Sequence, residues 1–265
     1  MGLDADEIRS TLPKDFTVDT PLGSGGQGAV YRGTYRGTPA AVKIFDPRQD
    51  PRRLKRELSL LSSIDCPYLV KLLGADTLSV GGLPATVVAY ELYSGGDCSA
   101  LIASREEVDA AELHKIGYEV ALAIEALWGR RICHRDIKPQ NIVIANGKYV
   151  LVDVGIAKHL DLSNITSPGL APGTFGYMSP EQYLGRRQLT IHSDIFSLGI
   201  TLFQIASKQH PFKGIQPQRG MMPMDLKALR ASMPPLLGSL IMQMLSPLPA
   251  QRPSNISARF ALLAS

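Results

Sequence analysis

The chain has 265 residues, 45% of them apolar, enough for a substantial core in one large domain or two small ones. No run approaches the ~18 apolar residues of a membrane span, and the acidic start Met1-Gly2-Leu3-Asp4 lacks the charged-then-apolar order of a secretory signal. Cys66, Cys98 and Cys133 have no metal-like spacing, and a net charge of +4 is modest, so a reducing cytoplasmic setting is expected, with neither membrane nor nucleic acid as a partner.

Gly2 follows Met1, but Asp6 breaks the myristoylation pattern. From Phe16 to Phe45, β-rich runs at 16–21, 29–35 and 40–45 alternate with glycine-rich turns. Leu54, Leu58, Leu61 and Ile64 then recur at helical spacing, and the basic cluster Arg52, Arg53, Lys55 and Arg56 reads as that helix's solvated face. Two more apolar runs, 68–73 and 85–92, complete a sheet of about five strands. Ser94-Gly95-Gly96-Asp97 interrupts the pattern as a linker. Beyond it the texture turns helical. Leu113, Ile116, Val120, Ile124 and Leu127 mark one long helix, and Ile195, Leu198, Leu202 and Ile205 another. Recurrent prolines then divide the C-terminal third into short helices.

Several motifs carry chemistry. Leu22-Gly23-Ser24-Gly25-Gly26-Gln27-Gly28-Ala29-Val30 holds Gly-x-Gly-x-x-Gly between strand-like runs, where glycines let backbone N–H groups approach phosphate oxygens. Alone that pattern is weak, and an ordinary hairpin turn explains it about as well. A dinucleotide-binding fold would need a helix after the glycines, but Ala29-Val30-Tyr31 is strand-like. Strand alternation places Ala41 and Lys43 on one face. In His134-Arg135-Asp136-Ile137-Lys138-Pro139-Gln140-Asn141, a base, a cation and a metal ligand share one tight loop. Phosphoryl transfer needs that set, to orient a hydroxyl, neutralise charge and hold a divalent ion. Twelve residues on, Asp153-Val154-Gly155 follows a strand-like run at 148–152, and Gly173-Thr174-Phe175-Gly176-Tyr177-Met178-Ser179-Pro180-Glu181 closes the next segment.

These motifs, in this order over about residues 16–260, resemble eukaryotic-type serine/threonine protein kinase catalytic domains, in the style of bacterial members. The resemblance implies an α+β bilobal fold. Its small lobe, 16–92, would be a five-stranded antiparallel sheet with one helix, preceded by an N-terminal extension, 1–15. Its larger, mainly helical lobe would span 93–265, with an ATP cleft between the two. The implied activity is transfer of the ATP γ-phosphoryl group to protein Ser/Thr hydroxyls with Mg²⁺ (Mn²⁺ could substitute), controlled by the activation segment and by autophosphorylation through self-association. The alternative is a pseudokinase, a nucleotide-binding scaffold that regulates a partner.

By resemblance, residues 22–30 cover the phosphates, Ala41 and Val143 with Val30 sandwich adenine, and Lys43 reaches the α- and β-phosphates while pairing with Glu57. Tyr90 takes the gatekeeper position, Glu91–Tyr93 offer hinge backbone groups, and Asp97 accepts from the ribose. Asp136 is the base, Lys138 screens the transferred group, Thr174 supports both, and Asn141 and Asp153 bind metal. His134 is read as a packing residue. Arg135 is a buried cation that a phosphate on Ser163, Thr166, Ser167 or Thr174 could offset. Glu181 would brace the large lobe by pairing with Arg252, and Asp194 would cap the catalytic loop. Val154 departs from the usual Phe and weakens an expected stacking column of Leu72, Leu61, Val154 and His134.

Overall fold

The computed structural model describes residues 5–25, 28–154, 173–186, 188–224 and 233–263. It divides into two compact units, Met1–Ile64 with Val70–Tyr93, and Asp65–Leu69 with Ser94–Ser265. No helix among the described residues is long and apolar enough to cross a membrane.

The first unit is an antiparallel sheet of β1 (Phe16–Gly25), β2 (Gly28–Tyr35), β3 (Thr38–Phe45), β4 (Leu72–Val80) and β5 (Leu83–Glu91), in the order β1-β2-β3-β5-β4. Period-two alternation decides its faces. Ala40, Val42 and Ile44 are fully buried with Val87 and Ala89, which leaves Ala41 and Lys43 on the opposite face. Gly81 and Gly82, at φ 58° and 75°, close the β4–β5 hairpin, a turn that requires positive φ twice. Helix α2 (Pro51–Ser62) starts where the Asp50 carboxylate accepts from Arg52 N at 3.0 Å, with Pro51 at the first helical position. Leu54, Leu58 and Leu61 form its buried stripe.

The N-terminal extension adds a helix to the first unit, α1 (Ala5–Thr11), which packs on β4 and sinks Ile8 completely into the core. Seven residues with one apolar anchor give no readable periodicity. One expectation needs correction: the run 68–73 is not one strand. β4 begins at Leu72, while Leu69 bridges Leu151 in the second unit and Leu151 N donates to Tyr68 O. A short apolar run shows burial without showing its partner.

The second unit is built on α4 (Ala110–Trp128) and α6 (Ile191–Ser207), with α3 (Ser99–Ala103), the hairpin β6 (Ile142–Ala145) and β7 (Lys148–Leu151), α5 (Pro180–Tyr183), α7 (Pro235–Met244) and α8 (Ile256–Ala261) around them. All five stripe residues of α4, Leu113 to Leu127, are fully buried, as are Ile195, Leu198, Leu202 and Ile205 of α6. Helix α6 is buried nearly all round, so its polar residues must find partners inside.

One such partnership braces the unit. Arg252 grips Glu181 through both nitrogens, at 2.7 and 3.1 Å, and its guanidinium lies 4.6 Å from the Phe196 ring centroid. Burial alone would push the Glu181 carboxyl up, but Arg252 and the Ser193 hydroxyl hold it below its usual range. Arg252→Met strands a buried carboxylate and should lower unfolding stability by about 3–5 kcal/mol. Glu181→Leu with Arg252→Met removes both charges and should lose distinctly less. Urea unfolding followed through Trp128, the chain's one tryptophan, reads the second unit directly. A double variant no more stable than the single one would refute the account.

Candidate active site

The loop His134–Asn141 enters between α4 and β6 and is held from beneath by α6. The fully buried Asp194 accepts His134 N at 2.7 Å on one oxygen and Arg135 N at 2.8 Å on the other. Those bonds stabilise Arg135 at φ 66°, a left-handed conformation that costs a non-glycine residue energy. His134 is the next strut. Its Nδ1 accepts from Asp136 N at 3.3 Å, so Nε2 carries the proton and donates to Val152 O at 2.9 Å. Both nitrogens are thereby engaged in positioning, in keeping with a packing residue.

Asp136 is 5% exposed and its two oxygens are treated differently. Oδ1 accepts from Thr174 N at 2.9 Å and from Thr174 Oγ1 at 2.7 Å. Asn141 Nδ2 approaches Oδ2 at 3.3 Å and Lys138 Nζ approaches it at 3.5 Å. Lys138 Nζ also donates to Thr174 Oγ1 at 2.7 Å. Asn141 Nδ2 donates to the Asp136 carbonyl at 2.7 Å, which orients the amide and leaves Oδ1 as the pole for a cation. Val152 N returns to Asn141 O at 2.9 Å, tying the loop to the stretch before Asp153, which is exposed at φ 57°.

Among the described residues no group of three His, Cys, Asp or Glu side chains could hold a metal. Asn141 and Asp153 are hard oxygen donors of the kind that share Mg²⁺ with substrate phosphates. The donor chemistry therefore fits a Mg²⁺–nucleotide complex better than a bare ion.

The first unit carries the remaining candidates. Gly25 pairs with Gly28 at the end of the β1–β2 hairpin, while Gly26 and Gln27 lie outside the described residues. Gly28, at φ 134°, would drive a Cβ to 1.9 Å from Ile44 O, so a side chain cannot be accommodated there. Leu22 is exposed, Ala29 buried, and Val30 pairs with Lys43. Lys43 is buried with Nζ 5.0 Å from the Phe45 ring centroid, and Glu57 lies on α2 of the same unit. Ala41 pairs with Tyr90. Glu91 N already donates to Lys71 O at 2.9 Å, so Glu91 brings no uncommitted donor to a base and Tyr93 is the better candidate. In the second unit Asp97 bridges Val143, and its Oδ1 accepts from Ser99 N at 2.7 Å, leaving Oδ2 for a ligand. Cys98 is fully buried, its thiol pushed up to about 12 by burial and by Asp97. Ser163, Thr166 and Ser167 lie outside the described residues.

Sequence reading missed the residues that hold the segment after Thr174. Gln216, 1% exposed, accepts from Gly176 N at 3.0 Å and donates to Met178 O at 2.8 Å. His210 Nδ1 accepts from Phe212 N and Gly214 N, and its Nε2 donates to Gly176 O at 3.2 Å. Burial pushes that imidazole down, in keeping with a neutral ring. Ser197 Oγ donates to Tyr177 O, and Ser179 caps α5 by accepting from Gln182 N. No spacing rule singles out a glutamine and a histidine in a loop; only the preceding-proline positions hint at fixed backbone there.

Comparison with known proteins gives a consistent result. The family model for the protein kinase domain matches residues 16–261. The chain is similar to the serine/threonine-protein kinase AfsK of Streptomyces griseus, 29% identical over 93% of this chain and 31% of that protein. It is also similar to the serine/threonine-protein kinase pkn2 of Myxococcus xanthus, 30% identical over 91% of this chain and 31% of that protein. The chain thus spans about a third of the length of these relatives. The PknI kinase domain of Mycobacterium tuberculosis shares the fold, with a TM-score of 0.72 at 22% identity over 100% of this chain and 99% of that one. Rad53 in complex with AMP-PNP gives a TM-score of 0.75 at 25% identity, over 93% of this chain and 64% of that one.

The Asp194 clamp can be tested by itself. Burial pushes its carboxyl up to about 6, against the pull of the two loop N–H groups. Because the folded value exceeds the unfolded one, the folded chain keeps a proton between about pH 4 and 6 that the unfolded chain releases. This group's contribution to stability therefore grows as pH falls through 6 and levels off below about 4. Asp194→Asn should abolish that slope and leave one loop N–H facing an amide donor, with amide exchange at His134 or Arg135 about ten-fold faster. Unchanged exchange at both would contradict the clamp.

Proposed function

The chain belongs to the protein kinase family, and on that premise we propose that it is a serine/threonine protein kinase domain transferring the γ-phosphoryl group of ATP to protein hydroxyls. The observation that carries this reading is the asymmetric Asp136 carboxylate. Thr174 donates to Oδ1 twice, which fixes the orientation of the carboxylate, and Oδ2 would orient an incoming Ser or Thr hydroxyl. Asp136 orients that hydroxyl and takes its proton as the oxygen bonds to the γ-phosphorus and the bond to the β-phosphate oxygen breaks, releasing ADP. Lys138, bonded to Thr174, adds positive charge beside the reacting group.

Asn141 Oδ1 and the Asp153 carboxylate would hold Mg²⁺, which supplies charge neutralisation on the phosphates when bound. The glycine-bearing hairpin around Gly28 would cover the phosphates, Lys43 would contact the α- and β-phosphates, and Glu57 would set the Lys43 head. Val30, Ala41 and Val143 would contact adenine, the Tyr93 backbone would supply a donor, and Asp97 Oδ2 would meet the ribose. The kinase homologues support protein substrates, and self-association for autophosphorylation is part of the same proposal.

The test uses the purified chain with γ-labelled ATP, Mg²⁺ and a generic basic protein. Asp136→Ala should lose about 10²–10⁴-fold in kcat or more, and EDTA should abolish transfer. Thr174→Val keeps its N–H but loses the hydroxyl, and should cost about ten-fold. Wild-type signal equal to that of Asp136→Ala would sink the proposal. Gln216→Glu can still accept from Gly176 but cannot donate to Met178. It should raise KM for the protein acceptor several-fold while KM for ATP stays constant, and an equal rise in both would remove Gln216 from the substrate platform.

A further inference from the structure

Just past the segment that ends in Glu181, the second unit carries a half-open cavity of about 190 Å³. Leu184 and Leu248, 49% and 41% exposed, give it an apolar surface together with Pro180, Pro247 and Pro249. The prolines bring no N–H, so the cavity's strong donors are the guanidinium groups of Arg186 and Arg219. Glu181 also lines the cavity, but its carboxylate is neutralised by the bidentate Arg252 pair. Among the described residues neither Arg186 nor Arg219 makes an ion pair. The local charge is therefore positive beside exposed apolar side chains, a combination that neither folding nor the transfer chemistry requires.

We propose that this cavity is a docking site for protein substrates, taking a segment in which Asp or Glu alternates with a bulky aliphatic residue. The volume lies below the ~300–1,000 Å³ of sites that enclose small molecules. A chain crossing it would bury one aliphatic side chain against Leu184 and Leu248 while its carboxylates meet the two arginines. Pro180 and Glu181 directly follow the Thr174–Ser179 platform, so a substrate held here keeps its acceptor hydroxyl tethered near Asp136. Tethering raises the effective concentration of that hydroxyl without any new contact at the reacting atoms. The inference that tethering aids transfer rests on the kinase reading; the binding itself does not.

The probe is a fluorescein-labelled hexapeptide of alternating Glu and Leu, with a Gln-for-Glu twin, titrated against the intact chain by anisotropy and without ATP. The Glu peptide should bind, weaken as salt rises, and outbind its twin by about ten-fold. Arg186→Glu with Arg219→Glu should weaken it by a similar factor, while Lys55→Glu in the first unit should not. In a second arm, a basic Ser peptide carries the hexapeptide on a flexible Gly/Ser linker of about twelve residues. The appended peptide should show a lower KM at unchanged kcat, and the double variant should erase that difference while phosphorylating the plain peptide normally. Equal binding of the twin, or full binding by the double variant, would overturn the site. Binding without any transfer would leave it standing and count against the kinase reading alone.

Discussion

The loop His134–Asn141 depends first on a fully buried carboxylate. Asp194 sits on α6, the most thoroughly buried helix, where an unpaired charge would be very costly. The loop supplies the compensation, since the backbone N–H groups of His134 and Arg135 occupy its two oxygens. Each partner thus solves the other's problem. The helix gains donors for a buried anion, and the loop gains the fixed point that keeps Arg135 in left-handed backbone. Everything downstream inherits that position: the His134 strut to Val152, the Asn141 return bond, and the placement of Asp136 two residues from the clamp's first bond.

From that anchor the site extends by hydrogen bonds more than by packing. Thr174 meets Asp136 and Lys138 together, so the segment that would receive substrate and the loop that would do chemistry share one network. Gly176 is held through both its N–H and its carbonyl by Gln216 and His210. Ser179 then starts α5, and Glu181 ends the segment on Arg252. A network in which nearly every buried polar group has a partner is stiff, and it is costly to satisfy only in part. That is the physical case for reading the stretch 173–181 as a platform.

The long amphipathic helices, the alternation around Lys43 and the order of the chemical motifs were legible in the sequence because each rests on local periodicity or on residue types few other sites combine. The Glu181–Arg252 and Asp194 contacts were legible too, but only through resemblance, since their partners lie 71 and about 60 residues apart. What was not legible depends on tertiary partners without a repeating signal. Ile8 is one apolar residue in a short acidic helix, yet it is fully buried. Leu69 belongs to a run that looks like one strand, yet it lies in the second unit and pairs there with Leu151. The Glu91 N–H is spent on Lys71, which no pattern of side chains reveals.

Val154 gives the last step. Replacing the family's usual Phe by Val removes apolar contact worth roughly 1 kcal/mol, at about 25 cal/mol per Å² of lost burial. The side chain is nonetheless only 5% exposed, so the smaller residue is accommodated in a packed position. Two backbone attachments immediately precede Asp153, from His134 to Val152 O and from Val152 N to Asn141 O, both at 2.9 Å. Bonds of this kind contribute about 0.5–1.5 kcal/mol each, a sum comparable with the apolar contact that is lost. The burden of holding Asp153 thus shifts from a side-chain stack to the His134 imidazole. In this chain the histidine acts through its tautomer, because only a ring with the proton on Nε2 can hold Val152 and accept from Asp136 at once.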